Sequence, residues 1–273
     1  MGLMSQKKGI VMGVVNEFSI AAAIARFLAA EGASIGLSHL PDNDQHGRMK
    51  KRVMKVAGEL GVDFVRPCDV SRDQDITDFF KEVKEHFGAV DFVVHSIAYA
   101  PLDDLRCQTV AASREGFNTA MNISVYSFIA VAHAAATVMV DGGSLVTLSF
   151  FGGEKVVDGY NMMGVCKAAL EMATRYLARD LGPQRIRVNA ISAGPVKTLS
   201  ASAIGDISRA IELTAAMAPM GRNITVEEIG KASAYLLSDL ASGTTGEILH
   251  VDCGYNIMGS PGPALSRLGL SSL

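Results

Sequence analysis

A tyrosine and a lysine stand seven residues apart in this chain, at Tyr160 and Lys167. On a helix that separation is about 700° at roughly 100° per residue, so both side chains share a face. A lysine there can lower the tyrosine pKa electrostatically, and its three donors can hold sugar hydroxyls. A surface lysine beside a half-buried tyrosine is the plainer reading of any one such pair, so other residues have to support the chemistry. The first is Gly13, in a turn that runs Gly13-Val14-Val15-Asn16-Glu17-Phe18-Ser19-Ile20-Ala21 and opens a helix. A dinucleotide site needs a tight turn from which backbone amides and a helix N-terminus approach a pyrophosphate. Gly13 meets the first need, but Val15 and Phe18 stand where the GxGxxG pattern has glycines, so an ordinary strand-to-helix turn is an equal reading. Two further strand ends point the same way: Cys68-Asp69-Val70, whose carboxylate can accept from an adenine amino group, and His95-Ser96-Ile97-Ala98, small enough for a ribose to lie across it. Asp after a strand is also a common turn residue.

The elements that must position these residues alternate along the whole chain. Apolar runs predict strands at 9–14, 34–37, 63–66, 91–95, 144–149, 187–191 and 247–251. Helical spacing predicts helices at 20–31, 44–60, 73–87, 114–140, 160–181 and 226–238, with Ser71 as the capping residue of the third. Such alternation implies right-handed crossovers and an α/β fold: a single-domain, Rossmann-type, doubly wound parallel sheet with helices on both faces. No linker or repeat divides the chain, so residues 1–273 are expected to form one domain. The long connection at 195–225 carries Ile204, Ile207, Ile211, Leu213 and Met217 as apolar anchors and is expected to cover a ligand.

Composition excludes more than it identifies. The 273 residues are 49% hydrophobic and 19% charged, and 25 Lys and Arg against 28 Asp and Glu leave a formal charge of -3. That balance gives no global attraction to nucleic acid or to an anionic membrane. Cys68, Cys107, Cys166 and Cys253 lack metal-type spacing, so reduced thiols are expected, with neither a metal nor a disulfide framework. Residues 1–8 do not read as a signal peptide. The apolar stretch 126–140, interrupted by Ser127 and His133, is too short to cross a bilayer and reads as a buried helix that also forms a subunit interface. The expected location is cytoplasmic.

Taken together, Gly13 through Ala25, Cys68-Asp69-Val70, His95-Ser96-Ile97-Ala98, Tyr160 with Lys167, and Arg187-Val188-Asn189-Ala190-Ile191-Ser192-Ala193-Gly194-Pro195 resemble the short-chain dehydrogenase/reductase superfamily. Within it the chain is similar to the bacterial NADH-dependent enoyl-acyl carrier protein reductases of type II fatty acid synthesis. Two details carry the narrower resemblance: the six-residue gap between Tyr160 and Lys167, three in ordinary members, and the Gly13…Ser19-Ile20-Ala21 form of the turn. The resemblance covers nearly the whole chain, to about Met258. It implies hydride transfer to C3 of an enoyl thioester, with Tyr160 hydrogen-bonding the thioester oxygen and Lys167 binding the nicotinamide ribose. It also implies pyrophosphate contacts at Gly13, Ser19 and Ile20, adenine contacts at Asp69 and Val70, and a further cofactor contact at Ile97. Val196, Lys197, Thr198, Leu199 and Ser200 match the segment from the nicotinamide into the substrate loop, while Ala100 and Met163 match the acyl pocket. A homotetramer is expected on the same basis.

The chain departs from its relatives in two places. They carry a second tyrosine ten residues before the first, where this chain has Phe150, so a hydroxyl is lost and the chain does without it or uses water, with Ser149 as a candidate helper. They also place basic residues beside the substrate loop to attract the acidic carrier protein, whereas 200–209 offers only Arg209, near Asp206. A coenzyme A thioester is therefore a candidate substrate beside the acyl carrier protein thioester. Ser38-His39-Leu40-Pro41-Asp42, at the end of the second strand, holds no cation for a 2′-phosphate, and Arg48 and Lys50 come later, so NADH is expected over NADPH, with Leu40 at the adenosine end. Competing readings are a ketone or alcohol dehydrogenase of the same superfamily, and a catalytically impaired cofactor-binding paralogue with a regulatory role.

Overall fold

The computed structural model describes residues 2–42, 46–198, 207–261 and 264–267. Its strands are β1 (Lys8–Met12), β2 (Ser34–His39), β3 (Val65–Pro67), β4 (Phe92–His95), β5 (Gly143–Ser149), β6 (Ile186–Ala193) and β7 (Ile248–Val251). All pair in parallel in the order β3-β2-β1-β4-β5-β6-β7. Strands buried on both faces read as continuous apolar runs, which is why their existence is legible without alternation. Helices α1 (Ile20–Ala30), α2 (Arg48–Leu60), α3 (Asp73–Phe87), α4 (Leu102–Arg106), α5 (Arg114–Met121), α6 (Ser127–Ala136), α7 (Asn161–Leu181), α8 (Ile207–Met217), α9 (Val226–Leu237) and α10 (Ala264–Arg267) complete the described chain.

The sheet separates two apolar cores. On one face Ile10, Val93, Leu145 and Val188 pack with Phe79, Phe128 and Leu170 of α3, α6 and α7. On the other, Val11, Val94, Val146 and Ile191 pack with Ile24, Val53 and Leu236 of α1, α2 and α9. The fold is thus the doubly wound α/β sheet the alternation predicts.

Several local expectations are corrected. Arg72, not Ser71, precedes the first turn of α3 and makes no side-chain cap; Ser71 instead donates its amide (3.0 Å) and hydroxyl (2.7 Å) to Asp69. The 114–140 helix is continuous only to Ala136 and is widened by a π turn over Asn122–Tyr126. Its 23 residues, Arg114–Ala136, would suffice by length and composition to cross a membrane, unlike 126–140; Phe128, Val131, Ala132 and Ala135, buried against the sheet, account for that apolarity as core. Within 195–225 the structure places α8, on which Leu213 is exposed rather than an anchor, and Ile204 lies outside the described residues. The short α4 has no apolar period to announce it.

Candidate active site

Strand order reverses direction between β1 and β4, and the crevice at such a switch point is where open parallel sheets bind ligands. Met12 and His95 are register partners there, so Gly13 and Ser96 leave the sheet side by side. Gly13 has φ +89°, and a Cβ on it would sit 2.2 Å from the Ser96 carbonyl oxygen and 2.9 Å from Ile97 Cγ1. Only glycine fits both the conformation and the space. The turn then caps α1: Ser19 Oγ accepts from the Ala22 amide at 3.3 Å and donates to the Asn16 carbonyl at 2.8 Å. Its hydroxyl proton is thereby engaged, and the anion-attracting groups are the first amides of α1, beginning at Ile20. This cradle, closed to any side chain at Gly13 and backed by a helix N-terminus, fits a dinucleotide pyrophosphate despite Val15 and Phe18.

The other residues expected at the cofactor follow along the same sheet edge. Leu40 is 51% exposed just past β2, and His39 beneath it is buried with Nδ1 2.8 Å from the Leu40 carbonyl. Asp69 spends Oδ1 on Ser71, leaving Oδ2 for another donor, and Val70 is buried beside it. Val196 is buried beyond the end of β6 and Thr198 is half-buried. Leu199 and Ser200 lie outside the described residues.

Tyr160 stands at the cap position of α7, and Asn161 after it adopts φ +40°, a strained conformation for a residue with a side chain. The Phe150 ring packs on the Tyr160 ring at 4.6 Å between centroids, tilted by 59°. Tyr160 and Ile97 pack on the apolar cluster that contains Ala100 and Met163, so the expected acyl-pocket residues are gathered. Lys167 is buried and donates from Nζ to the Leu148 carbonyl at 2.6 Å. Burial pushes the lysine down to about 8, opposed by Cys166 and Glu171.

The expectation that Lys167 lowers the tyrosine pKa is not met. Burial raises it, with Cys166 and Glu171 adding to the effect, while the lysine is turned onto a backbone carbonyl. Tyr160 is therefore a neutral phenol, a hydrogen-bond donor rather than a phenolate. Nor is Ser149 a substitute for the missing hydroxyl at Phe150: it is buried, and its proton goes to Glu171 Oε1 at 2.5 Å.

Two groups escaped the sequence reading. His95, quoted only as part of a strand end, is fully buried between Thr147 Oγ1 (3.1 Å) and Ser127 Oγ (2.8 Å). Burial, reinforced by Lys167, pushes its pKa down to about 3, so the ring is neutral. Glu171 was missed altogether; its place one helical turn beyond Lys167, on a face otherwise filled by Cys166, Leu170 and Thr174, was the available signal. Among the described residues no group of three or more His, Cys, Asp or Glu side chains could hold a metal ion.

The family model described as enoyl-(acyl carrier protein) reductase matches residues 13–256. The NADH-dependent enoyl-acyl-carrier-protein reductase of Rhizobium meliloti is 50% identical over 258 residues, covering 94% of this chain and 93% of that protein. The FabI enzyme of the same description from Rickettsia conorii is 46% identical over 259 residues, covering 95% of this chain and 98% of that protein. Among solved structures, the enoyl-(acyl-carrier-protein) reductase of Anaplasma phagocytophilum in complex with NAD superposes with a TM-score of 0.90 at 47% identity, covering 95% of this chain and 97% of that one. The NADH-dependent reductase of Aquifex aeolicus gives a TM-score of 0.90 at 45% identity, covering 95% and 100%. With its doubly wound sheet, its glycine-only turn, a tyrosine capping α7 and a lysine within it, the chain belongs to the enoyl-(acyl carrier protein) reductase family.

Proposed function

We propose that this protein is an NADH-dependent enoyl thioester reductase that reduces the trans-2 double bond of an acyl carrier protein thioester in fatty acid synthesis. The observation that carries the reading is a neutral, donor-competent Tyr160 and a buried Lys167 held together against the end of β5, the strand next to β4 of the switch point. Gly13, Ser19 and Ile20 line the pyrophosphate, Leu40, Asp69 and Val70 the adenosine, and Ile97, Val196, Thr198 and Lys167 the nicotinamide end. When bound, NADH supplies hydride to C3 of the enoyl group.

The remaining work falls to side chains of this chain. Negative charge develops on the thioester oxygen as C3 is reduced, the Tyr160 hydroxyl donates to that oxygen, and the enolate then takes a proton from water at C2. A donor of this kind contributes about 2.7–4 kcal/mol to the transition state. A phenol whose pKa is raised keeps its proton while it donates, which suits it to stabilise the oxyanion rather than to accept a proton. Lys167, charged below about pH 8, holds ribose hydroxyls with donors beyond the one given to Leu148. Phe150, Ala100 and Met163 exclude water around the acyl chain, with Leu199 and Ser200 assigned to the same pocket by sequence. A ketone reductase needs its tyrosine beside the reacting carbon; the wider Tyr160 to Lys167 gap suits an oxygen two carbons away. Retention of both residues also argues against a regulatory paralogue.

We read residues 1–273 as one domain, with 195–225 covering the substrate, in a cytoplasmic homotetramer. Support for self-association is the exposed stripe Val165, Met172 (50%) and Tyr176 (56%) along α7, with Phe117, Tyr126 and Ile129 exposed on the α5–α6 helix. NADH consumption with crotonyl coenzyme A and with a crotonyl carrier protein tests the reading. Turnover of at least one is expected, and no turnover of either by NADH-binding protein would refute it.

A further inference from the structure

Three consecutive residues at the end of β5 hold three side chains of the site. The Leu148 carbonyl accepts from Lys167, Ser149 Oγ donates to Glu171, and the Phe150 ring packs on Tyr160. Two of those partners, Lys167 and Glu171, are one turn apart on α7. Glu171 is only 4% exposed. The turn after β5 rests directly on it: a Cβ on Gly153 would lie 2.9 Å both from Glu171 Oε1 and from the Lys167 carbonyl carbon.

A polar layer continues from Ser149 across the sheet. Ser149 is in register with Ser192 of β6, and Ser192 with His250 of β7. Register partners point to one face, here the α7 face, because Leu145 and Val188 of the same alternation pack with Leu170. His250 Nε2 lies 2.6 Å from Glu154 Oε1 in the turn after β5. Between them Ser192, 1% exposed, has an Oγ with no hydrogen-bond partner among the described residues. His250 also lines a cavity of about 370 Å³ together with Arg222, Glu228 and Asp252.

We propose that Glu171 is a positioning residue of the active site: its buried carboxyl group, held by Ser149 one helical turn from Lys167, fixes the end of β5 and places an acidic group beside the lysine. This rests on the reading of Lys167 as the group that holds the cofactor ribose. The charged and titratable groups around Glu171 and Lys167 are Cys166 and Arg175 on α7, Tyr160 at its start, His95 at the end of β4, Glu154 after β5 and His250 on β7. Burial raises the Glu171 pKa and Glu154 adds to it, while the Ser149 hydrogen bond, Arg175 and His250 oppose. Burial pushes the Lys167 pKa down, and Cys166 and then Glu171 oppose it.

The test is the pH dependence of NADH binding, measured by fluorescence titration for wild type, Glu171→Gln and Ser149→Ala. Glutamine keeps the size and an oxygen for Ser149 but removes the charge. Removing an opposite charge one turn away should lower the lysine pKa by about one unit. From a starting value of about 8, that weakens NADH binding roughly eightfold at pH 8.5 and less than twofold at pH 6.5. The alkaline limb of kcat/KM should move to lower pH by the same amount. Ser149→Ala, which leaves the carboxylate in place but easier to protonate, should shift the step in the same direction by less, and thermal melting of each variant reports folding. A pH step at the wild-type position in both variants, or a loss equal at all pH values, would overturn the proposal. If wild type binds NADH with the step but turns over no enoyl thioester, the reductase reading fails while the positioning role stands.

Discussion

Replacing Gly13 by alanine probes the cofactor cradle at its tightest point. The residue adopts φ +89°, and a side chain there costs about 1–2 kcal/mol from backbone conformation alone. The added Cβ would also lie 2.2 Å from the Ser96 carbonyl oxygen, a backbone atom that cannot swing aside. Separating β1 from β4 at that point should cost a further 1–3 kcal/mol or so, as overpacking of a tight site does. The sum is about 2–5 kcal/mol of stability, each kcal/mol being worth roughly 2–4 °C in Tm. Because the same displacement moves the turn away from the pyrophosphate, NADH affinity should fall at least about tenfold, or 1.4 kcal/mol. Urea denaturation with and without NADH reads both quantities. A variant within about 0.5 kcal/mol of wild type that binds NADH normally would refute the placement of Gly13 at this contact.

Phe150→Tyr restores a hydroxyl on a ring already packed 4.6 Å from Tyr160, and is expected to keep or raise kcat on crotonyl thioesters; a severalfold loss would show that the hydroxyl is not accommodated. Leu40→Arg puts a cation on an exposed position past β2 and should shift the ratio of specificity constants toward NADPH; an unchanged ratio would count against adenosine binding there. His95 makes stability fall in acid. Its folded pKa of about 3 lies below the unfolded value of about 6.5, so its contribution is complete above 6.5 and drains as pH falls toward 3. Chemical denaturation across that window should show a slope that His95→Gln flattens.

What could be read in advance, and what could not, follows from how each signal is written in the chain. Buried parallel strands announce themselves as apolar runs, and α3 begins and ends where its charge and apolar periods say, at Asp73 and Phe87. Tyr160 and Lys167 stood out because their types and spacing are rare in an apolar helix face. The sign of the tyrosine shift did not follow, because it is set first by burial, and the Nζ that could have opposed it is given to the Leu148 carbonyl. Glu171 and His95 were silent for the same reason: a carboxylate and an imidazole become informative only when the register of Ser149, Thr147 and Ser192 is known. The π turn at Asn122–Tyr126 leaves no trace in periodicity, since it adds one residue to one turn of a helix that continues on both sides.

This site reduces a carbon–carbon double bond rather than a carbonyl. Single-turnover reaction of crotonyl thioester with NADH deuterated at the transferred position, followed by mass spectrometry and NMR of the product, addresses it directly. A butyryl thioester carrying deuterium at C3 is expected, lost almost wholly in Tyr160→Phe. Deuterium at a carbinol carbon from a ketone substrate, with the crotonyl thioester untouched, would contradict it.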